Sequence, residues 1–366
     1  MRNHINRRIT IVISNLSGGG AERVACNLAN YLDKQNYDVE VITTLSGNND
    51  TYKLSSGIKR YKLMEESDRR GKLYNSFMKI RRLKKYIKDN QDIDCYVVFL
   101  PINTFLMLRF MKYTKSKVIF TERNNPSSLS LMDRLIMKSG AKKADGFVVQ
   151  TKEIYEYYTN ICNKMIIIPN AINPDATVIK KRKSKNKIVA VGRLAAQKNY
   201  PMVIESFKKF IMKHPEYTLE IFGQGGEKEK LEQLVKEYRL DGKVFFRGYV
   251  NDVTLQMSDA ACFVMASNYE GMPNALIEAM CMGIPCVATD CDGGGVRELI
   301  SNMENGIMVK KNDVAGMVEG MCKIVEDEKF RKAVSENAIL LKNQLEPDRI
   351  YGKWRSFIEE VVLSNE

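Results

Sequence analysis

Apolar residues in the first half of the chain come in short unbroken runs: "RRITIVISNL", "DVEVITTL", "CYVVFL", "KVIFTE", "GFVVQT" and "MIIIPNAI". Between them lie stretches such as "AERVACNLANYLDKQ" and "DRLIMKSGAKKA", whose apolar positions recur at helical spacing. Runs that are apolar at successive positions predict strands covered on both faces, and therefore a parallel sheet. Strands of this kind alternating with helices predict a doubly wound α/β domain.

The rhythm breaks at residues 173–187, "NPDATVIKKRKSKNK", which are polar, basic and open on Asn-Pro. We assign them as a linker. The alternation then restarts with "KIVAVGRL", "TLEIFG", "KVFFRG", "ACFVMAS", "IPCVATD" and "GIMVK", separated by helical patterns such as "PMVIESFKKFIMKH" and "DVAGMVEGMCKIVED". The expected organisation is a domain over 1–172, the linker, a second domain of the same class over 188–345, and a terminal amphipathic helix over 346–366 with the only tryptophan, Trp354. Two such domains on a hinge create a cleft. Ligands of parallel sheets bind beyond the carboxyl ends of the strands, so loops that follow strands are the place to look for chemistry.

A chain of 366 residues with 44% hydrophobic and 28% charged residues suits two globular domains. No apolar run reaches the ~18–20 residues of a membrane-spanning helix. The early run "ITIVIS" falls short of the ~7–15 residues of a signal-peptide core and reads as a first strand. Eight cysteines form no C-x-x-C pair, and most have apolar neighbours, which suggests reduced thiols in a cytosolic protein rather than disulfides or zinc. Only His4 and His214 are available, which argues against a Ser-His-Asp triad or a histidine-rich metal site; His214 reads as a helix-end residue. The net charge of +13 is uneven: residues 1–175 hold 29 Lys and Arg against 17 Asp and Glu. The densest basic stretch is "KIRRLKKYIK", residues 79–88, which is either a solvated helix face or a surface for an anionic partner.

Several strand-to-helix junctions carry candidate chemistry. "NLSGGGAER" places Gly18, Gly19 and Gly20 after the first strand, as a tight packing turn or as an approach for an anion to helix N–H groups. It is neither G-x-G-x-x-G nor a P-loop. "VGRLAAQKNY" places Arg193 and Lys198 after the first strand of the second domain, where a guanidinium fork and a compact ammonium suit a diphosphate. "IFGQGGEKEKL" with Gly223 and "FRGYVNDV" with Val250 are ordinary βα connections or backbone contacts to a nucleobase. In "NYEGMPNALIEAMCMGIPCVATD", Glu270 lies on a loop, Pro273 fits the first helical position and Glu278 lies inside the helix. That segment offers carboxylates for hydroxyl groups and helix N–H groups for phosphate; Glu278 could equally be an exposed helix carboxylate. The Asp92–Asp94 and Asp290–Asp292 pairs have a spacing that can hold Mg²⁺, but aspartate is common in turns, and we expect no metal.

Taken in order, "SGGGAER", "IPNAI", "GRLAAQKN" and above all Glu270-x7-Glu278 inside "EGMPNALIEAMCMGIPCVATD" resemble the retaining, nucleotide-sugar-dependent glycosyltransferases of family 4, with the GT-B fold, over nearly the whole chain. The resemblance implies roles. Glu278 would hold the ribose hydroxyls. Glu270 would face the donor sugar, with Gly271, Met272, Pro273 and Asn274 around the sugar and phosphate. Arg193 and Lys198 would neutralise the diphosphate, Gly18, Gly19 and Gly20 would reach the same phosphates, and the Trp354 helix would pack back on the first domain. No metal or cofactor is implied. Many relatives place a histidine after a strand of the first domain. Here "KVIFTE" leads into "ERNNP", a pattern similar to a branch that builds bacterial surface polysaccharides, so Glu122 and Arg123 become acceptor-side candidates.

The expected activity is therefore sugar transfer from a nucleotide-diphosphate sugar, UDP by resemblance, to a glycan acceptor linked to a polyprenyl diphosphate. The basic first half would rest on the anionic inner face of the cell membrane from the cytoplasm. A nucleotide-sugar epimerase on the same two-domain plan is the alternative. A non-catalytic nucleic-acid-binding protein is a second, but no binding module is recognisable and the aromatics do not interleave with the basic run.

Overall fold

The computed structural model describes residues 7–45, 50–68, 70–173 and 186–364. They form two compact units, Met1–Ala171 with Asp348–Glu366, and Ile172–Pro347. Both are α/β, as the unbroken apolar runs predict.

The first unit holds seven strands: β1 (Arg8–Ile13), β2 (Asp38–Thr43), β3 (Lys59–Lys62), β4 (Cys95–Phe99), β5 (Lys117–Thr121), β6 (Gly146–Val149) and β7 (Met165–Ile167). All neighbours pair in parallel, in the order β3-β2-β1-β4-β5-β6-β7. Strand β4 is buried along its length because helices cover both faces. Strand β3, "KRYK", has no apolar run and was not foreseen; it is an edge strand, where one side of the ladder is open and charged residues are tolerated. The helix Pro347–Leu363 closes this unit. Ile350, Tyr351, Trp354, Phe357, Ile358 and Val361 recur every three or four residues and are all buried. Trp354 stacks on Phe99 with centroids 5.9 Å apart, and Arg7 Nε bonds Glu359 Oε2 at 3.2 Å.

The second unit holds β8 (Lys187–Val191), β9 (Thr218–Phe222), β10 (Val244–Gly248), β11 (Cys262–Met265), β12 (Cys286–Asp290) and β13 (Ile307–Lys310), parallel throughout in the order β10-β9-β8-β11-β12-β13. Of the linker expected over 173–187, residues 174–185 lie outside the described residues, and Lys187 already opens β8. All eight cysteines are buried free thiols. Among the described residues no helix is long and apolar enough to cross a membrane.

Candidate functional site

In the six-stranded sheet the strand order reverses between β8 and β11. Loops leaving the carboxyl ends of those two strands run to opposite faces of the sheet, which is where such sheets bind ligands. Lys198 lies on the first loop and Glu270 on the second, and the structure brings them together: Lys198 Nζ donates to Glu270 Oε1 at 2.5 Å. Ser267 Oγ donates to the same oxygen at 2.7 Å. Glu270 is only 8% exposed, so its charge needs both partners.

The loops are stitched by backbone as well. The Asn268 N–H donates to the Gln197 carbonyl at 2.8 Å, Asn268 Nδ2 to the Ala196 carbonyl at 2.9 Å, and Gln197 Nε2 to the Tyr269 carbonyl at 3.0 Å. The Glu270 N–H donates to the Asp292 carbonyl at 2.9 Å, which ties in the loop after β12. Arg193 is exposed, and among the described residues its Nη2 bonds only Gln197 Oε1, at 3.5 Å.

Gly223 joins this arrangement for a steric reason. Its φ is +139°, and a Cβ there would lie 2.0 Å from the Gly192 carbonyl oxygen, so the loops after β8 and β9 can close only on glycine. Val250 does not join. It lines a cavity of about 400 Å³ with Lys187, Glu220, Arg247, Gln256 and Asp259, none of them a predicted donor residue.

Gly271, Met272 and Pro273 are buried and lead into the helix Asn274–Cys281. Pro273 does not occupy the first helical position. It is the capping residue before it, with ψ at 101°, because the chain is still extended where it turns into the helix. Glu278 is 4% exposed rather than a solvated helix carboxylate, one turn beyond Asn274 on the same face. The Asp pairs are spent on cations: Asp290 on Arg297 at 2.6 Å, Asp292 on Lys311 at 2.7 Å, and Asp92 on Arg8 at 2.7 Å, while Asp94 accepts from the Arg8 N–H at 2.7 Å.

In the first unit the strand order reverses between β1 and β4, and Gly18–Gly20 follow β1. Gly19 caps the helix Gly20–Lys34 without a side-chain bond. The Glu22 carboxylate folds back over it, so close that a Cβ on Gly19 would lie 1.8 Å from Glu22 Oε2. Nothing in the sequence reading foresaw this carboxylate at the helix N-terminus.

Glu122 and Arg123 follow β5, and both are buried. Glu122 Oε1 accepts from the N–H groups of Arg123 and Asn124, each at 3.0 Å, and Tyr158 Oη donates to Oε2 at 3.3 Å. Arg123 Nη2 donates to Asn170 Oδ1, which also accepts from Gln150 Nε2 at 2.7 Å. Tyr158, Gln150 and Asn170 escaped sequence reasoning. Asn170 lies in the quoted "IPNAI", and nothing about the other two marks them as polar partners of "ERN".

Burial pushes the Glu122 carboxyl from its ordinary 4.5 up to about 7, against the opposing hydrogen bonds from the Asn124 and Arg123 N–H groups. The folded chain therefore keeps its proton across a window in which the unfolded chain has lost it. Stability from this group is full below 4.5 and lost as pH rises through about 7. Glu122→Gln keeps an acceptor for the two N–H groups and removes the titration. Wild type is expected to lose on the order of 3 kcal/mol relative to that variant across the window. Urea unfolding of both proteins on either side of it checks this; parallel curves refute it.

Comparison with known proteins adds the following. A family described as Glycosyltransferase Family 4 matches residues 18–176, and one described as Glycosyl transferases group 1 matches residues 173–340. An uncharacterized glycosyltransferase of Haemophilus influenzae is 27% identical over 96% of this chain and 100% of its own length. The N-acetylgalactosamine-N,N'-diacetylbacillosaminyl-diphospho-undecaprenol 4-alpha-N-acetylgalactosaminyltransferase of Campylobacter jejuni is 28% identical over 91% of this chain and 94% of its own. Among solved structures, a mutant of S. aureus TarM in complex with fondaparinux, α-GlcNAc-glycerol and UDP superposes with a TM-score of 0.81, at 15% identity, over 96% of this chain and 99% of that one.

Proposed function

This chain belongs to the family 4 and group 1 glycosyltransferases, and on that premise we propose that it moves a sugar from UDP-sugar, with retention at the anomeric carbon, to a glycan on a polyprenyl diphosphate, in surface polysaccharide synthesis such as a capsule. The observation that carries this is the Lys198–Glu270 clasp at the strand-order reversal, with the exposed Arg193 beside it. The hard step breaks a sugar–phosphate bond and leaves a nucleoside diphosphate. Fixed cations stabilise that departing charge best in a water-poor site. Lys198, Arg193 and the N-terminus of the helix Asn274–Cys281 supply the positive potential, and Glu270 holds Lys198 in place.

Glu278 serves the ribose hydroxyls, and Gly271, Met272 and Asn274 serve the sugar and phosphate. No covalent glycosyl-enzyme is invoked: the acceptor hydroxyl attacks the face from which the diphosphate leaves, and its proton passes to the leaving phosphate. No metal enters this step. Arg123, held by Asn170, orients the acceptor, with Glu122 as a positioning residue beneath it. The polyprenyl-linked acceptor is taken from the Campylobacter relative, whose name specifies one.

The test is a thermal-shift panel of nucleotide sugars followed by transfer of the labelled sugar to a polyprenyl-diphosphate-linked oligosaccharide, with the product anomer read by NMR and EDTA in a parallel tube. A transferred α-sugar from an α-donor, unaffected by EDTA, is expected. An isomerised donor with no acceptor present would favour an epimerase instead.

Membrane association is part of the proposal. On the helix Lys72–Asp89, Leu73 and Phe77 are 89% and 59% exposed, and Arg81, Lys84 and Lys88 continue along the same side. Apolar residues that can enter the headgroup region followed by cations suit an anionic bilayer, at roughly 1 kcal/mol per basic residue. The protein is expected to sediment with phosphatidylglycerol vesicles at low salt and be released at high salt, and Phe77→Ser should weaken binding at low salt. Salt-independent behaviour, or no binding, counts against it.

A further inference from the structure

Three metal-ligating side chains meet on the second unit: His214, Cys322 and Glu326 place ligand atoms within 4.8 Å of one another. None of them belongs to the clasp described above. Cys322 and Glu326 lie four residues apart near the end of the helix Val314–Glu326, so they project from one face, and His214 approaches after the helix Tyr200–Phe210.

We propose that His214 Nε2, Cys322 Sγ and a Glu326 carboxylate oxygen form a Zn²⁺ site that clips these two segments together, with water as the fourth ligand. An imidazole, a thiol and a carboxylate form a donor set that suits zinc. Tetrahedral bonds of that kind separate ligand atoms by about 3.3–3.8 Å. His214 Nε2 already lies 2.8 Å from Glu326 Oε1, and the Glu326 side chain, 54% exposed, is free to adjust.

Four further observations support a cation here. The His214 ring is held by stacking on Phe210 at 4.8 Å and by an edge contact with Tyr217, so its orientation is set before any metal arrives. Its other nitrogen, Nδ1, lies 3.8 Å from Glu216 Oε1, a second carboxylate beside the ring that adds negative charge to the site. The carbonyl end of the helix Val314–Glu326 adds negative potential. Lys323, the cation next to Cys322 on this helix, is engaged with Asp327 at 2.7 Å. Cys322 is a buried free thiol that brings a proton to the site. Binding releases that proton to solvent as the thiolate–zinc bond forms, with no change of oxidation state.

The inference is independent of sugar transfer, and so is its test. Full-length protein stripped with EDTA is titrated with Co²⁺ as a spectroscopic stand-in for Zn²⁺. One equivalent is expected to produce a thiolate-to-cobalt charge-transfer band, to be bleached by Zn²⁺, and Zn²⁺ should raise the melting temperature of the second unit. Cys322→Ser should abolish the band, and His214→Ala and Glu326→Gln should each weaken binding at least tenfold. Each variant's melting temperature without metal shows that it still folds. Absence of the band in wild type, or its persistence in Cys322→Ser, where one of the other seven cysteines would be responsible, overturns the proposal.

Discussion

Lys198→Ala is expected to lower turnover by roughly two to three orders of magnitude, the cost of removing one fixed donor from a developing oxyanion. The variant also has a structural cost. Glu270 is 8% exposed, and without Lys198 only Ser267 Oγ remains on Oε1. Breaking a buried pair from one side costs about 3 kcal/mol. A slower enzyme could then be dismissed as a damaged one. The double variant Lys198→Ala with Glu270→Gln removes the stranded charge, and should recover most of the stability while turnover stays low. Arg193→Ala supplies the complementary test. Its side chain is exposed and weakly held, so stability should change by no more than about 0.5 kcal/mol while turnover falls at least tenfold. If single-turnover rates of Lys198→Ala or Arg193→Ala stay near wild type, these cations do not meet the diphosphate.

The fold was legible because burial on both faces leaves a strong trace. All twelve apolar runs correspond to strands of the two sheets. The thirteenth strand, β3, left no trace, since an edge strand of Lys, Arg and Tyr is held by backbone bonds to β2 rather than by burial of its own side chains. The site was legible only as candidates. Lys198 and Glu270 stand 72 positions apart, and what joins them is the placement of β8 beside β11, a property of strand order that local spacing does not encode. Strand order also explains where Val250 falls. Val250 follows β10, two strands away from β8, and lines a different cavity. The surroundings of Glu122 were hidden for a local reason: its carboxylate turns inward onto the N–H groups of the next two residues, and an Asx-like turn of this kind cannot be told from a substrate-facing residue in the string "ERNNP".

The glycine that matters most to the site lies outside the segments read for chemistry. Gly295 opens the helix Gly295–Leu299 after β12, and a Cβ there would lie 1.7 Å from the Gly271 carbonyl oxygen and 3.0 Å from Pro273 Cδ. The obstacle is backbone, so no side chain can rotate away. Gly295→Ala must displace the Glu270–Pro273 loop, and with it the entry to the helix Asn274–Cys281 that we assign to sugar and phosphate. Overpacking of this kind costs about 3 kcal/mol, which for a unit of this size lowers the melting temperature by roughly 6–12 °C. Binding of UDP should fall with it, because the displaced loop carries Gly271 and Met272. Gly226→Ala is the control: it lies on the loop after β9, but a Cβ there meets nothing within 4 Å, and it should leave melting and UDP affinity unchanged or slightly improved. A Gly295→Ala protein that melts lower yet binds UDP as tightly as wild type would separate this loop from the donor and move the nucleotide site elsewhere on the sheet edge.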